Sequence, residues 1–195
     1  MQREGRIGVF GGSFDPIHLG HLILAQNALE TLELDRVFFV PTAVPPHKKN
    51  IKLSPFPLRV KMVELALAGN DAFELSLMES GDDPSYTYET VLRFKEEGYE
   101  REQLHLLVGS DSLQELEYWR RPEVIFENAT IVSMMRPGFE AIPPLPRGAS
   151  VVILERGSNS ISSTDIRELV REGKSIKYLV PDGVEKFIKD NSLYI

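Results

Sequence analysis

The stretch GVFGGSFDPIHLGHL, residues 8–22, decides the fold. It opens inside a short apolar run, Ile7–Phe10, of strand character. After it, Leu22, Ala25, Leu29 and Leu32 recur at steps of three, four and three, the apolar stripe of an amphipathic helix. The segment between is therefore a Gly-rich turn from a strand into a helix. In an open α/β sheet, ligands bind beyond the carboxyl ends of strands, so chemistry is expected here. Gly11 and Gly12 let the backbone approach a ligand closely and expose N–H groups, and Ser13 adds a hydroxyl. Asp15-Pro16 reads as a local Asx-type turn. His18 and His21 project from one side of the first helical turn, where partial positive charge and free N–H groups can seat a phosphate. Two imidazoles there can donate to a phosphoryl group as charge develops in a transition state. An isolated H-x-x-H pair is more often structural; its place after a Gly-rich strand-to-helix turn reverses that weighting. Zinc is the weaker reading, because it needs three or four ligands and the chain has only four histidines.

Working outward, Val37–Val40, Leu104–Val108, Ala129–Met134 and Val151–Leu154 are apolar throughout, and Phe73–Leu77 more weakly so. Such runs suit strands covered on both faces, as in a parallel sheet. Leu58, Met62 and Leu65 repeat the helical stripe, as do Ile166, Leu169 and Val170. The alternation predicts an α/β fold: a doubly wound, Rossmann-like parallel sheet with helices on both faces. From about Ser162 the chain reads as all-helical and is expected to pack against the sheet. The whole span, 1–195, is expected to form one domain. Two proline-rich loops are long: Thr42–Pro57, which carries His47, Lys48 and Lys49, and Pro137–Gly148, which carries little chemistry.

Composition narrows the function. Cysteine is absent, which excludes disulfide scaffolds, Cys-ligated zinc and thiol nucleophiles. The net charge of −7 argues against a general nucleic-acid binder, since phosphate backbones demand a basic face. No leader, anchor or spanning apolar stretch is evident, so no membrane partner is expected and the location expected is cytoplasmic. The spacing is not G-x-G-x-x-G, and Gly173-Lys174-Ser175 only mimics the end of a Walker loop, with Glu168 where glycine would stand.

The HLGH segment, His18 to His21, resembles the (H/T)xGH signature of the nucleotidylyltransferase superfamily. Ile161-Ser162-Ser163-Thr164-Asp165-Ile166-Arg167 resembles its ISSTxIR motif. Physically, Ser162 to Thr164 start a helix whose N–H and hydroxyl groups can hold phosphates, and Arg167 brings a forked cation one turn in. Further segments are similar to bacterial nicotinate mononucleotide adenylyltransferases: the PPHK loop ending at Lys48, Ser85-Tyr86-Thr87, Gly109-Ser110-Asp111 followed by Trp119, Arg136-Pro137-Gly138, and Tyr178 to Pro181. This resemblance covers nearly the whole chain. It implies adenylyl transfer from ATP to nicotinate mononucleotide, with Mg²⁺ accompanying the ATP and held mainly by phosphate oxygens. In that reading His18, His21, Lys48 and Arg167 handle the phosphates. Gly11, Gly12, Ser13, Phe14, Gly109, Asp111, Arg136 and Ile161 to Thr164, which include Ser162 and Ser163, bind ATP. The acceptor falls to His47, Ser85, Tyr86, Thr87 and Trp119.

The residues agree with this on physical grounds. Trp119, the only tryptophan, lies in a polar stretch, and its flat indole suits stacking on an electron-poor pyridine ring. Taken alone it would read as a half-buried packing residue. Ser85–Thr87 opens a helix containing Val91, Leu92 and Lys95, and free N–H groups there would welcome the nicotinate carboxylate over a neutral amide. The bland reading of Ser85 is helix capping. Tyr88 and Tyr99 receive no role, and His105 reads as a packed strand residue. Two alternatives stay open: an adenylyltransferase for nicotinamide mononucleotide or another phosphorylated acceptor, and a non-catalytic nucleotide sensor. Homo-oligomers are common at this size, but no surface pattern in the sequence argues for one.

Overall fold

A computed structural model describes residues 4–46, 53–135, 148–157 and 159–195. Its strands are β1 (Ile7–Gly12), β2 (Arg36–Pro41), β3 (Phe73–Leu75), β4 (Leu104–Val108), β5 (Thr130–Met134) and β6 (Val151–Leu154). They form one six-stranded sheet in the order β3-β2-β1-β4-β5-β6, every pairing parallel. The helices are α1 (Leu19–Thr31), α2 (Phe56–Leu67), α3 (Thr87–Glu96), α4 (Ser110–Glu115), α5 (Pro122–Asn128), α6 (Ser163–Arg171) and α7 (Asp182–Asp190). The expected doubly wound fold is therefore present, with strands close to where the apolar runs put them; β1 runs on through Gly11 and Gly12, which pair with Val40 and Pro41 instead of forming the turn, β3 ends at Leu75 rather than Leu77, and β5 starts at Thr130.

The continuous runs divide by parity, because successive strand side chains point to opposite faces. Phe10, Val37, Phe39, Leu107, Val132, Met134 and Leu154 enter one cluster, together with Leu24 of α1, Met62 of α2, Ile166 of α6 and Val184 of α7. Ile7, Val9, Val40, Leu104, Leu106, Val108 and Ile131 enter the other, with Val91 of α3, Leu113 of α4 and Ile125 of α5. Gly8 lies where a Cβ would stand 3.1 Å from both Leu107 Cδ1 and Val37 Cγ2, so a side chain there would wedge the tight packing over β1.

The helix stripes need small corrections. The fully buried positions of α1 are Gly20, Leu24, Ala25 and Ala28, while Leu22, Leu29 and Leu32 are only partly buried. Apolar residues surround α1 on both sides, so its deepest face could not be read from periodicity. In α2, Arg59 is buried beside Met62 and Val63, and Leu65 is half-buried. The C-terminal region is helical as expected, but α7 rests against α2 and joins the core through it.

Leu107 lies in β4 and is 1% exposed. Leu107→Ala should lower unfolding free energy by about 2–5 kcal/mol in urea titration, through lost burial and the cavity left behind. A loss under 1 kcal/mol would show that this face of the sheet is loosely packed.

Candidate active site

The strand order reverses between β1 and β4, and the segments leaving their carboxyl ends part to open a cleft. Two hollows, of about 260 and 180 Å³, make it up. The first is lined by Gly11 and Gly12 at the end of β1, Ser13, Phe14, His18 and His21 between there and the start of α1, Gly109 and Asp111 beyond β4, and Ser162 to Thr164 at the start of α6. The second is lined by Ser85, Tyr86 and Thr87, by Thr42, Pro45 and Pro46, and by Glu79 and Arg120. Gly11, Gly12, Ser13, Ser112 and Trp119 belong to both. Of the residues expected to meet ATP, Phe14, Gly109, Asp111 and Ser162 to Thr164 line the first hollow alone and Gly11 to Ser13 line both; of those expected to meet the acceptor, Ser85 to Thr87 line the second and Trp119 lines both.

Local chemistry sets the histidines. His18 is the N-cap of α1, and its backbone N–H donates to His21 Nδ1 at 3.2 Å. With Nδ1 accepting, the neutral His21 ring carries its proton on Nε2 and is a donor there. The two rings stack at 3.6 Å between centroids, and His21 also packs edge-on to Phe14 at 5.2 Å. A Cβ on Gly20 would meet Asn159 Oδ1 at 2.7 Å and His18 Nδ1 at 3.0 Å, so glycine at this position lets α6's leading segment close over the pair. Asn159, which lines the first hollow, also accepts from the Ile161 N–H at 3.2 Å. Ile161 itself does not line either hollow.

The α6 segment is tied to the first turn. Ser162 caps the helix by accepting from the Asp165 N–H at 3.1 Å. The Ser163 hydroxyl donates to the Pro16 carbonyl at 2.9 Å. Arg167 donates from Nη1 to the Asp15 carbonyl at 2.8 Å and from Nη2 to Thr164 Oγ1 at 3.2 Å. Ser163 and Arg167 therefore spend donors on the scaffold, and Arg167 does not line the hollows.

Several residues that carry the site were missed or misread in the sequence. The guanidinium of Arg59, buried in α2, donates to the carbonyls of Ser13 (2.6 Å), Thr42 (2.9 Å), Ala43 (3.2 Å) and Ser54 (3.0 Å). Burial lowers its pKa, against the opposing pull of Asp15 and Tyr194. Asp15 makes no Asx turn. Its carboxylate accepts from the Tyr194 hydroxyl at 2.6 Å and from the Ser54 N–H at 3.1 Å, both distant in sequence. Burial, then the bond to Asp15, holds the Tyr194 phenol far above its ordinary pKa. Glu79 accepts from the hydroxyls of Thr42, at 2.7 Å, and Thr90.

Tyr86, not Ser85, is the N-cap of α3, and no side chain caps that helix. The Ser85 N–H donates instead to the Val44 carbonyl at 3.1 Å. The Arg120 guanidinium stands 4.5 Å over the Tyr86 ring, and its pKa is raised above the ordinary value, chiefly by a hydrogen bond with Tyr86. His105 is buried in β4 with Nδ1 3.3 Å from the Gln103 carbonyl; burial lowers its pKa. His47, Lys48 and Arg136 lie outside the described residues.

The family model described as cytidylyltransferase-like matches residues 9–169, which places this cleft in a nucleotidyltransferase class. The Bacillus subtilis protein named nicotinate-nucleotide adenylyltransferase is 36% identical over 97% of this chain and 98% of its own length. A Geobacillus kaustophilus protein named "Probable nicotinate-nucleotide adenylyltransferase" is 38% identical over 97% of this chain and 86% of its own. The fold matches that of the Plasmodium falciparum nicotinic acid mononucleotide adenylyltransferase solved in complex with NaAD, with a TM-score of 0.81, 20% identity and 98% of each chain covered. Within that class, the chain belongs to the nicotinate-nucleotide adenylyltransferase family.

The Tyr194 bond gives a pH signature. An unfolded tyrosine ionises near pH 10, while Tyr194 in the folded chain stays protonated. Its contribution is thus full below about pH 10 and is lost as pH rises beyond it. Between about pH 10 and 12 the wild type should lose stability faster than Tyr194→Phe, by up to ~1.4 kcal/mol per pH unit. Parallel urea midpoints for the two proteins across that range would count against a buried, bonded phenol.

Proposed function

We propose that this cleft joins ATP and nicotinate mononucleotide into nicotinate adenine dinucleotide and pyrophosphate. The observation that carries the reading is the pairing of two hollows across Gly11, Gly12, Ser13 and Trp119, one bearing the histidine pair and the other the uncapped start of α3. Relatives alike over nearly the whole chain carry names for the same activity, which supports it.

The acceptor's phosphate is ionised at neutral pH, so its oxygen attacks without a general base. It forms a bond to the α-phosphorus in line, the α–β bridging bond breaks, and pyrophosphate leaves with that electron pair. Catalysis is then positioning and charge stabilisation. His21, with its Nε2–H, and His18 donate to the α-phosphate and the bridging oxygen. Ser162 and Ser163, with Thr164 beside them, hold the β- and γ-phosphates at the start of α6, and Ile161 supports that segment through its bond to Asn159. Arg167 stands behind this segment, steadied by its bonds to Asp15 and Thr164, and has N–H groups left that a shift toward the hollow would bring to the same oxygens. Gly11, Gly12, Ser13 and Phe14 supply the close backbone under the nucleotide, and Gly109 and Asp111 receive the adenosine ribose. Lys48, His47 and Arg136 complete the phosphate contacts. Ser85 to Thr87 receive the nicotinate carboxylate, and Trp119 stacks on the pyridine ring. Among the described residues no three His, Asp or Glu side chains stand together as metal ligands. The Mg²⁺ that accompanies ATP is proposed to be held mainly by phosphate oxygens and water. No helix among the described residues is long and apolar enough to cross a membrane.

The test is pyrophosphate release with Mg·ATP and, in parallel, nicotinate mononucleotide, nicotinamide mononucleotide or phosphopantetheine. A kcat/KM about tenfold or more higher for the nicotinate acceptor is expected, from one charge-assisted contact. ATP binding without release for any acceptor would overturn the enzyme reading in favour of a sensor. His21→Ala should lower kcat by about 100-fold or more with the fold intact, and near-normal turnover would remove the histidine from the mechanism. Trp119→Ala should raise KM for nicotinate mononucleotide more than KM for ATP; equal rises would argue against stacking.

A further inference from the structure

The acceptor hollow has a charge balance that the start of α3 cannot explain. Two acidic side chains line it, Glu79 and Glu115, the latter exposed at the rim. Glu79 is anchored by the hydroxyls of Thr42 and Thr90, so it stays in place when a ligand enters. Left alone, such walls would repel a second carboxylate and favour a neutral ring. Arg120 is the one cation among the described residues that line the hollow.

The backbone and two tyrosines aim that cation. Arg121 adopts a left-handed conformation, φ 52° and ψ 54°, which turns the chain sharply between the Leu116–Tyr118 turn and α5. Beyond the turn, Arg121 stands 5.1 Å over the Tyr88 ring, while Arg120 stands 4.5 Å over the Tyr86 ring. Tyr86 is the N-cap of α3. Arg120 and the residues that open the helix, Ser85 to Thr87, line the same hollow. Its planar fork can grip a carboxylate through two parallel bonds, which a neutral carboxamide accepts poorly. Tyr86 holds one side of the fork by stacking, so little freedom is lost when the ligand binds.

We propose that Arg120 is a specificity-determining residue of the acceptor hollow: it binds the carboxylate of the acceptor's pyridine ring together with the start of α3, offsets Glu79 and Glu115, and so selects acid over amide. This rests on the adenylyl-transfer reading above. The neighbouring Arg121, paired with Glu123 at 3.9 Å and stacked on Tyr88, serves only to hold the turn.

The test uses the full chain with Mg·ATP and compares kcat/KM for nicotinate and nicotinamide mononucleotides in wild type, R120Q, R120M and R120K. Removing the charge should lower the acid-to-amide ratio about tenfold, with most of the loss on the acid side. R120K should restore part of the ratio, since it returns the charge without the fork. Thermal melts show which variants are folded, and either R120Q or R120M suffices. A ratio unchanged in a folded neutral variant, whether both acceptors slow together or neither does, overturns the proposal: the arginine would then only support Tyr86. A wild type with equal kcat/KM for acid and amide overturns it as well. A wild type that turns over no pyridine mononucleotide is a different failure, that of the adenylyl-transfer reading itself.

Discussion

The site depends on the guanidinium of Arg59. Beyond the ends of β1 and β2 the parallel ladder stops, and the carbonyls of the segments that follow have no strand to accept from. Buried carbonyls without partners are costly. Arg59 answers four of them at once, on Ser13, Thr42, Ala43 and Ser54, from within α2. One rigid fork thereby fixes the Gly-rich turn relative to the loop that follows β2. That turn carries the wall shared by both hollows, and the loop after β2 supplies Thr42, Pro45 and Pro46 to the second. The nearby Asp15 carboxylate keeps the buried cation in a tolerable field, and Asp15 is itself held by Tyr194 and Ser54. A charge in the interior is thus a framing device for chemistry a few residues away.

A second set of bonds closes the frame from the other side. Ser163 and Arg167 donate to successive carbonyls, Pro16 and Asp15, on the same turn. The helix expected to hold phosphates is also a strut for the histidine pair. The two roles are compatible because an arginine has five N–H donors and a helix start leaves backbone N–H groups free after its hydroxyls are spent. Such double use explains why the ISSTDIR segment and the HLGH segment, far apart along the chain, belong to one cleft.

Much of this could be read from the sequence. Ile7–Phe10 and Leu104–Val108 are apolar at every position because both faces of a parallel sheet are covered, and that pattern is hard to mistake. The histidine pair was visible because strand, turn and helix follow one another directly, although Gly11 and Gly12 end β1 and the turn begins at Ser13. Arg59 was less visible, although an arginine inside the apolar stripe of FPLRVKMVELAL is a signal: a cation there must be buried and bonded. Asp15 was misread as a local turn because its partners lie 39 and 179 positions away. Glu79 escaped for the same reason, since its meaning comes from Thr42, 37 positions off. Local patterns reveal which elements form; the bonds between their ends emerge only once the sheet has set their order.

The separation of Asp15 and Tyr194 by 179 positions also bears on the order of events during folding. Contacts between neighbours in sequence can form early, whereas one that closes so long a loop becomes favourable only after the intervening chain is ordered. The sheet can therefore be complete while the turn at its centre still lacks one of its clamps. Competence to hold substrates is then a late acquisition of the folding chain, arriving after compactness and not along with it.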